Sequence, residues 1–236
     1  MLGGVRVLTY DKIKEIPLID THVHRIHPDR ELDFGTIGGG YIQGPNQEIY
    51  SRQTIIYHMM MEELRNEFKM SENADISEVE AERHRRCRRN PQEYYKNLMQ
   101  SQNVRMYCVE IGSPLNGKSY SKEEIEYFNA IIPQNQQSHI VRIERTLEPV
   151  LKQQSDFDEM VKKYKDCLCD QINKEKAIGI KSCIAYTSGL NADIIGREEA
   201  RKAYERIRQG KFWIQDEKTL NDYILLESAD IAAEYD

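Results

Sequence analysis

Apolar residues fall along this chain in two rhythms. Short unbroken runs bounded by turn residues recur at 16–21, 104–111, 139–143 and 177–185, and each has the length and composition of a buried strand. Between and after them the apolar positions return every three or four residues, the period of a helix with one buried face. "SYSKEEIEYFNAII" carries a serine followed three residues later by glutamate, a capping box that starts a helix near Ser121. "FDEMVKKYKDCLCDQINK" sets Phe157, Met160, Val161, Tyr164 and Leu168 at helical spacing, and "REEARKAYERIRQG" ends at Gly210, a helix stop. A last helix is predicted through "DEKTLNDYILLESADIAAEYD". Strands alternating with helices predict a parallel α/β sheet with the strands inside and the helices outside.

One interval breaks the rhythm. About 80 residues separate the first two strands, far more than an ordinary connection from strand to helix. The interval opens with the glycine-rich "FGTIGGGYIQGPN" and continues through helical patterns at 48–69 and 78–89. It closes with "NPQEYYKNLMQS", where a proline sits near a helix start. It reads as a helical insertion over one end of the sheet.

Composition narrows the class. The chain has 236 residues, 39% hydrophobic and 31% charged, which is enough apolar material for a sizeable core. A net charge of -6 argues against a general affinity for nucleic acid or anionic membranes. The basic "RHRRCRR" at 83–89 follows an acidic stretch and reads as a solvated helix face. No apolar run reaches the roughly 20 residues of a membrane helix. The first twenty residues lack the layout of a signal peptide. Five cysteines without framework spacing fit reduced thiols in a cytoplasm. Cys167 and Cys169, two apart on a helix, point to different faces and make a poor metal pair.

The first strand carries the chemistry. "IPLIDTHVHRIHP" sets Asp20, His22 and His24 on one face of a strand and Ile19, Thr21 and Val23 on the other. Two imidazoles two residues apart on one face can hold a divalent cation between them, with carboxylates nearby to orient them. In parallel α/β folds the sites lie at the C-terminal ends of the strands, where His22 and His24 stand. His27 falls in the loop beyond. In "SHIVRIER", Arg142 and Glu144 share a face at the same end, while His139 has the opposite parity. Lys181 interrupts the apolar "AIGIKSCIAY", so it is either paired with Glu144 across neighbouring strands or held for chemistry. His58 and His84 lie in the insertion with no partner at ligand spacing.

The pieces "PLIDTHVHRIHP", "HIVRIERTLEP" and "AIGIKSCIAYTSGL", in this order, resemble the amidohydrolase superfamily of metal-dependent hydrolases. Within it they are most similar to the amidohydrolase-related branch, including the portion fused to glutamine synthetase-like proteins. PHP phosphoesterases share the Asp-x-His-x-His pair, but the Ser-Asp-Gly expected after it is absent here. The resemblance implies a (β/α)8 TIM-type barrel in which His22 and His24 bind zinc or a related divalent ion. Lys181 would stand where some members carry a carboxylated lysine bridging two metals, with Arg142 and Glu144 beside it as catalytic candidates. The family also needs histidines from strands five and six and an aspartate from strand eight, and this chain supplies only the first four βα units. The expectation is therefore a single partial barrel over 1–236, with the insertion at about 34–101. Its intact form would hydrolyse an amide or related bond of a small molecule in the cytoplasm. Uronate isomerase-like or decarboxylase-like chemistry, or a non-catalytic half-barrel that binds a partner, are the alternatives. Self-association or a complementing chain would cover the open edges.

Overall fold

The computed structural model describes residues 9, 12–13, 15–26, 46–111, 120–153, 156–211 and 214–235. They fall into two compact units: one takes in 26–104 and 121–133, the other 17–25, 105–120 and 134–236. The glycine-rich "FGTIGGGYIQGP" and His27 lie outside the described residues.

The first unit is helical: α1 (Gln47–Ser51), α2 (Ile55–Glu67), α3 (Ile76–Arg89), α4 (Pro91–Ser101) and α5 (Lys122–Ile131). The expected helix over 48–69 is two helices, because the Thr54 side chain accepts the Tyr57 N–H and starts α2 afresh. Asp75 and Glu78 form a capping box on α3, and Ser121 and Glu124 form the predicted one on α5. Asn90 caps α4 with Pro91 in its first turn. "RHRRCRR" is not wholly a solvated face. Arg83 and Cys87, four apart, are buried, and Arg83 lies over the Tyr94 ring at 5.9 Å, while Arg85, Arg88 and Arg89 remain exposed.

The second unit holds the sheet and the predicted alternation. Strands β1 (Leu18–Val23), β2 (Val104–Glu110), β3 (Gln137–Arg142) and β4 (Gly179–Lys181) lie side by side in chain order. They make a curled parallel half-barrel. Tyr107 faces Gln137 and Glu110 faces Ile140 along one ladder; Ile140 faces Gly179 and Arg142 faces Lys181 along the next. Alternation then puts Cys108, Glu110, Ile140, Arg142 and Lys181 on one face of the sheet and Val109, Val141 and Ile180 on the other. The helices pack on that second face: α6 (Ile143–Gln153), α7 (Phe157–Glu175), α8 (Arg197–Arg208) and α9 (Ile214–Ala233).

One core cluster joins Val141 to Leu147 and Val150 of α6, Met160, Tyr164 and Leu168 of α7, Tyr204 of α8 and Leu220, Ile224 and Ile231 of α9. Each large aliphatic buried there stabilises the unit by roughly 1.5–3 kcal/mol. All five residues expected on the apolar face of α7 are buried. Gly210, just beyond α8, has a positive φ of 67°, as a helix stop requires.

The third strand differs from expectation. β3 stops at Arg142, and Ile143 already begins α6, so Glu144 leaves from the first helical turn and not from a strand. Ile143, Thr146, Leu147 and Val150 have helical spacing and are buried.

Candidate metal centre

β1 runs from an apolar start into Asp20 and His22, with His24 one residue past its end. Val23 is buried on the opposite face and fixes which way the histidines point. The Asp20 carboxylate accepts the backbone N–H of His22 at 3.1 Å. That bond stiffens the turn of chain on which the imidazole rides. His22 Nε2 and His24 Nε2 stand 3.0 Å apart, their rings edge to face with centroids 4.8 Å apart.

The second element is Glu110, the last residue of β2 and only 1% exposed. A carboxylate so buried must be paired. Lys181 Nζ donates to its Oε2 at 3.0 Å and Arg142 Nη1 to its Oε1 at 3.4 Å, while His24 Nδ1 lies 3.4 Å from Oε2. Lys181 Nζ also contacts His22 Nε2. Strand register explains the convergence, since Arg142 and Lys181 are ladder partners and Glu110 ends the neighbouring strand on the same face. Lys181 is thus paired, but with Glu110 and not with Glu144.

Glu144 does different work. Its Oε1 accepts Ser182 Oγ and the Cys183 N–H, both at 2.6 Å, and its Oε2 lies 3.8 Å from Arg142 Nε. It anchors the turn that follows Lys181. His139 is turned away, its Nδ1 3.1 Å from the Glu175 carbonyl oxygen. His58 and His84 belong to the helical unit, on α2 and α3.

The electrostatics favour neutral imidazoles beside an ionised carboxylate. His22 is held below the usual histidine range by burial and then by the Lys181 charge, and His24 is lowered chiefly by burial against the pull of Glu110. Burial alone would push Glu110 up, but the hydrogen bond and charge of Lys181, with His24 and Arg142, bring it below its ordinary value.

These donors fit a divalent ion. Nitrogens about 2.0–2.1 Å from a zinc ion lie about 3 Å apart when the angle between them is near 90°, and His22 and His24 meet that spacing. One ligand atom from each of His22, His24 and Glu110 falls within 4.8 Å of the others. Glu110 against His24 Nδ1 leaves Nε2 as the lone-pair nitrogen, the tautomer a ligand needs. Glu110 has no motif around it in the sequence. Its one signal is an acidic residue closing the apolar "MYCVE" at the C-terminal end of a strand.

No family model matches the chain, and no curated protein does. Among solved structures it is similar to a Lactobacillus casei ATCC 334 protein assigned as a metal-dependent hydrolase, with a TM-score of 0.68 at 13% identity. The likeness covers 94% of this chain and 56% of that one, so this chain spans little more than half the length of that structure. At that identity it is a likeness of fold.

Proposed function

We propose that this chain carries the metal-holding half of an amidohydrolase-type barrel, a hydrolase of amide or related bonds. The observation that carries the reading is the meeting of His22 Nε2 and His24 Nε2 at 3.0 Å, beside the buried Glu110, at the C-terminal ends of parallel strands. His22 and His24 hold the ion, zinc or a close relative in ligand preference, because imidazole suits such metals. A divalent ion bound there lowers the pKa of water and polarises a carbonyl. Glu110 orients His24 and holds the Lys181 side chain within reach of His22. Arg142 and Lys181 present two cations to the substrate side, and Glu144 fixes both through Arg142 and the turn after β4. Family resemblance assigns the remaining ligands, further histidines and an aspartate, to strands beyond β4. The similarity to a metal-dependent hydrolase over 94% of the chain supports the reading at the level of fold. Five free thiols fit a reducing compartment, in keeping with work in the cytoplasm.

A second reading keeps the superfamily and changes the reaction to that of a uronate isomerase-like or decarboxylase-like member. The two cations favour it, because such substrates carry a carboxylate that an arginine grips in two-pronged fashion.

Metal content measured by mass spectrometry separates the metal reading from its rivals. The wild-type chain, dialysed against micromolar zinc, is expected to retain at least tenfold more zinc than the His22→Ala, His24→Ala variant. Equal content in both sinks the proposal.

A further inference from the structure

The half-barrel has two unfinished ends. Among the described residues nothing pairs with the outer edge of β1 or of β4. Leu18 and Ile19, on opposite faces of β1, are 55% and 56% exposed, so that strand lacks cover on both sides. Around β4 the same holds for Ile178 just before it and for Tyr186, Leu190 and Ile194 after it, exposed by 61%, 78%, 82% and 93%. Parallel strands are ordinarily buried on both faces, and an open edge is a template for another strand. Each end of this sheet therefore offers an apolar patch and a row of backbone groups.

We infer that two copies of this chain close the sheet into one eight-stranded parallel barrel, β1 of each copy lying beside β4 of the other. A two-fold axis along the barrel axis is the operation that does this. It keeps all eight strands parallel, creates two identical junctions and leaves no edge. The four strands among the described residues of each copy are half of eight, and the solved structure with this fold is nearly twice as long as the matched segment. The patches occur at both ends of one sheet, which a second copy matches twice over, Leu18 and Ile19 meeting the residues around β4. A partner of unlike sequence would need both complements built separately. Closure also changes the site. His22, His24, Glu110, Arg142 and Lys181 stand on the inner face and line half a mouth; the second copy supplies the facing wall. The inference stands on strand edges and exposure, and it holds whether or not the histidines take a metal.

Light scattering on the full chain after size exclusion reads the mass directly. The expected value is twice the 27.7 kDa of a single chain. Ile19→Asp, on the β1 end, and Leu190→Asp, on the β4 end, should each return the mass to that of one chain with the helical dichroism kept. A wild-type monomer overturns the inference, and that outcome would point to an unlike partner or to further chain as the closing half. A dimer that only one of the two variants splits overturns the head-to-tail closure, since both ends must lie in the interface. So does an open series of larger assemblies. Should either variant unfold, hydrogen exchange of the wild type decides the question. Amides at 18–23 and 178–181 should exchange at least tenfold faster on dilution below the dissociation constant; unchanged rates refute the closure.

Discussion

Glu110 is the residue on which the candidate site turns. It is the most buried charge of the second unit's inner face, and it faces two cations and an imidazole. His22 and His24 are legible from the sequence because one strand supplies both at the spacing a strand imposes. Glu110 is not, because its partners lie 32 and 71 residues further along and only the ladder register brings them together. The same register overrides the pairing of Lys181 with Glu144 that the sequence suggests, since Glu144 sits on a helix by then. Glu110→Gln leaves Lys181 and Arg142 facing an uncharged amide, and breaking a buried pair from one side costs more than the pair contributes. Both cations keep some solvent, so the expected loss is about 1–3 kcal/mol and not the full cost of a dry pair. Lys181→Met in the same background should recover part of that loss, as it removes the cation left behind. Urea unfolding of the two single variants and the double variant checks this; strictly additive losses would show that Glu110 and Lys181 do not act as a pair.

At the scale of elements, the strongly periodic helices and the short apolar strands stand out in the sequence, and α6 does not. Its apolar positions have helical spacing, but Ile143 continues the β3 run without a turn residue and Pro149 sits where a helix interior is least expected. The helix survives because Ile143, Thr146, Leu147 and Val150 are buried on one side, and tertiary packing outweighs a single poor residue. Pro149 itself is exposed. Its ring denies the Arg145 carbonyl a donor, at a cost near 3 kcal/mol in an interior position. Proline also stiffens the unfolded chain, which favours folding by roughly 0.4–1 kcal/mol. The first effect is larger, so Pro149→Ala is expected to stabilise the protein by about 2 kcal/mol. A urea midpoint that moves up with an unchanged slope is the expected result; a drop would mean that α6 needs the bend the proline imposes.

For the molecule as a whole, strand count and strand order follow from the sequence, since four apolar runs separated by helices leave little choice in a parallel sheet. What the sequence cannot display is how four strand ends and one helix start come within a few ångströms of each other at one end of that sheet. The site is therefore a property of the folded unit, and a ligand of the site must be a ligand of the fold. A metal bound to the native state and not to the unfolded chain adds RT ln(1 + [L]/Kd), about 2.7 kcal/mol at one hundred times Kd. The gain should reach the whole cooperative unit, including residues that never approach the ion. Val141, Tyr164 and Leu168, buried in the core behind the sheet, are its reporters. Their amides should exchange about a hundredfold more slowly in saturating zinc, the same free energy read as a rate. The effect should vanish in His22→Ala, His24→Ala. Slowing confined to residues 18–24, with the core unchanged, would mean that the histidines take up metal as an exposed pair on an edge strand. It would also break the link between His22, Glu110 and Lys181 on which the hydrolase reading depends.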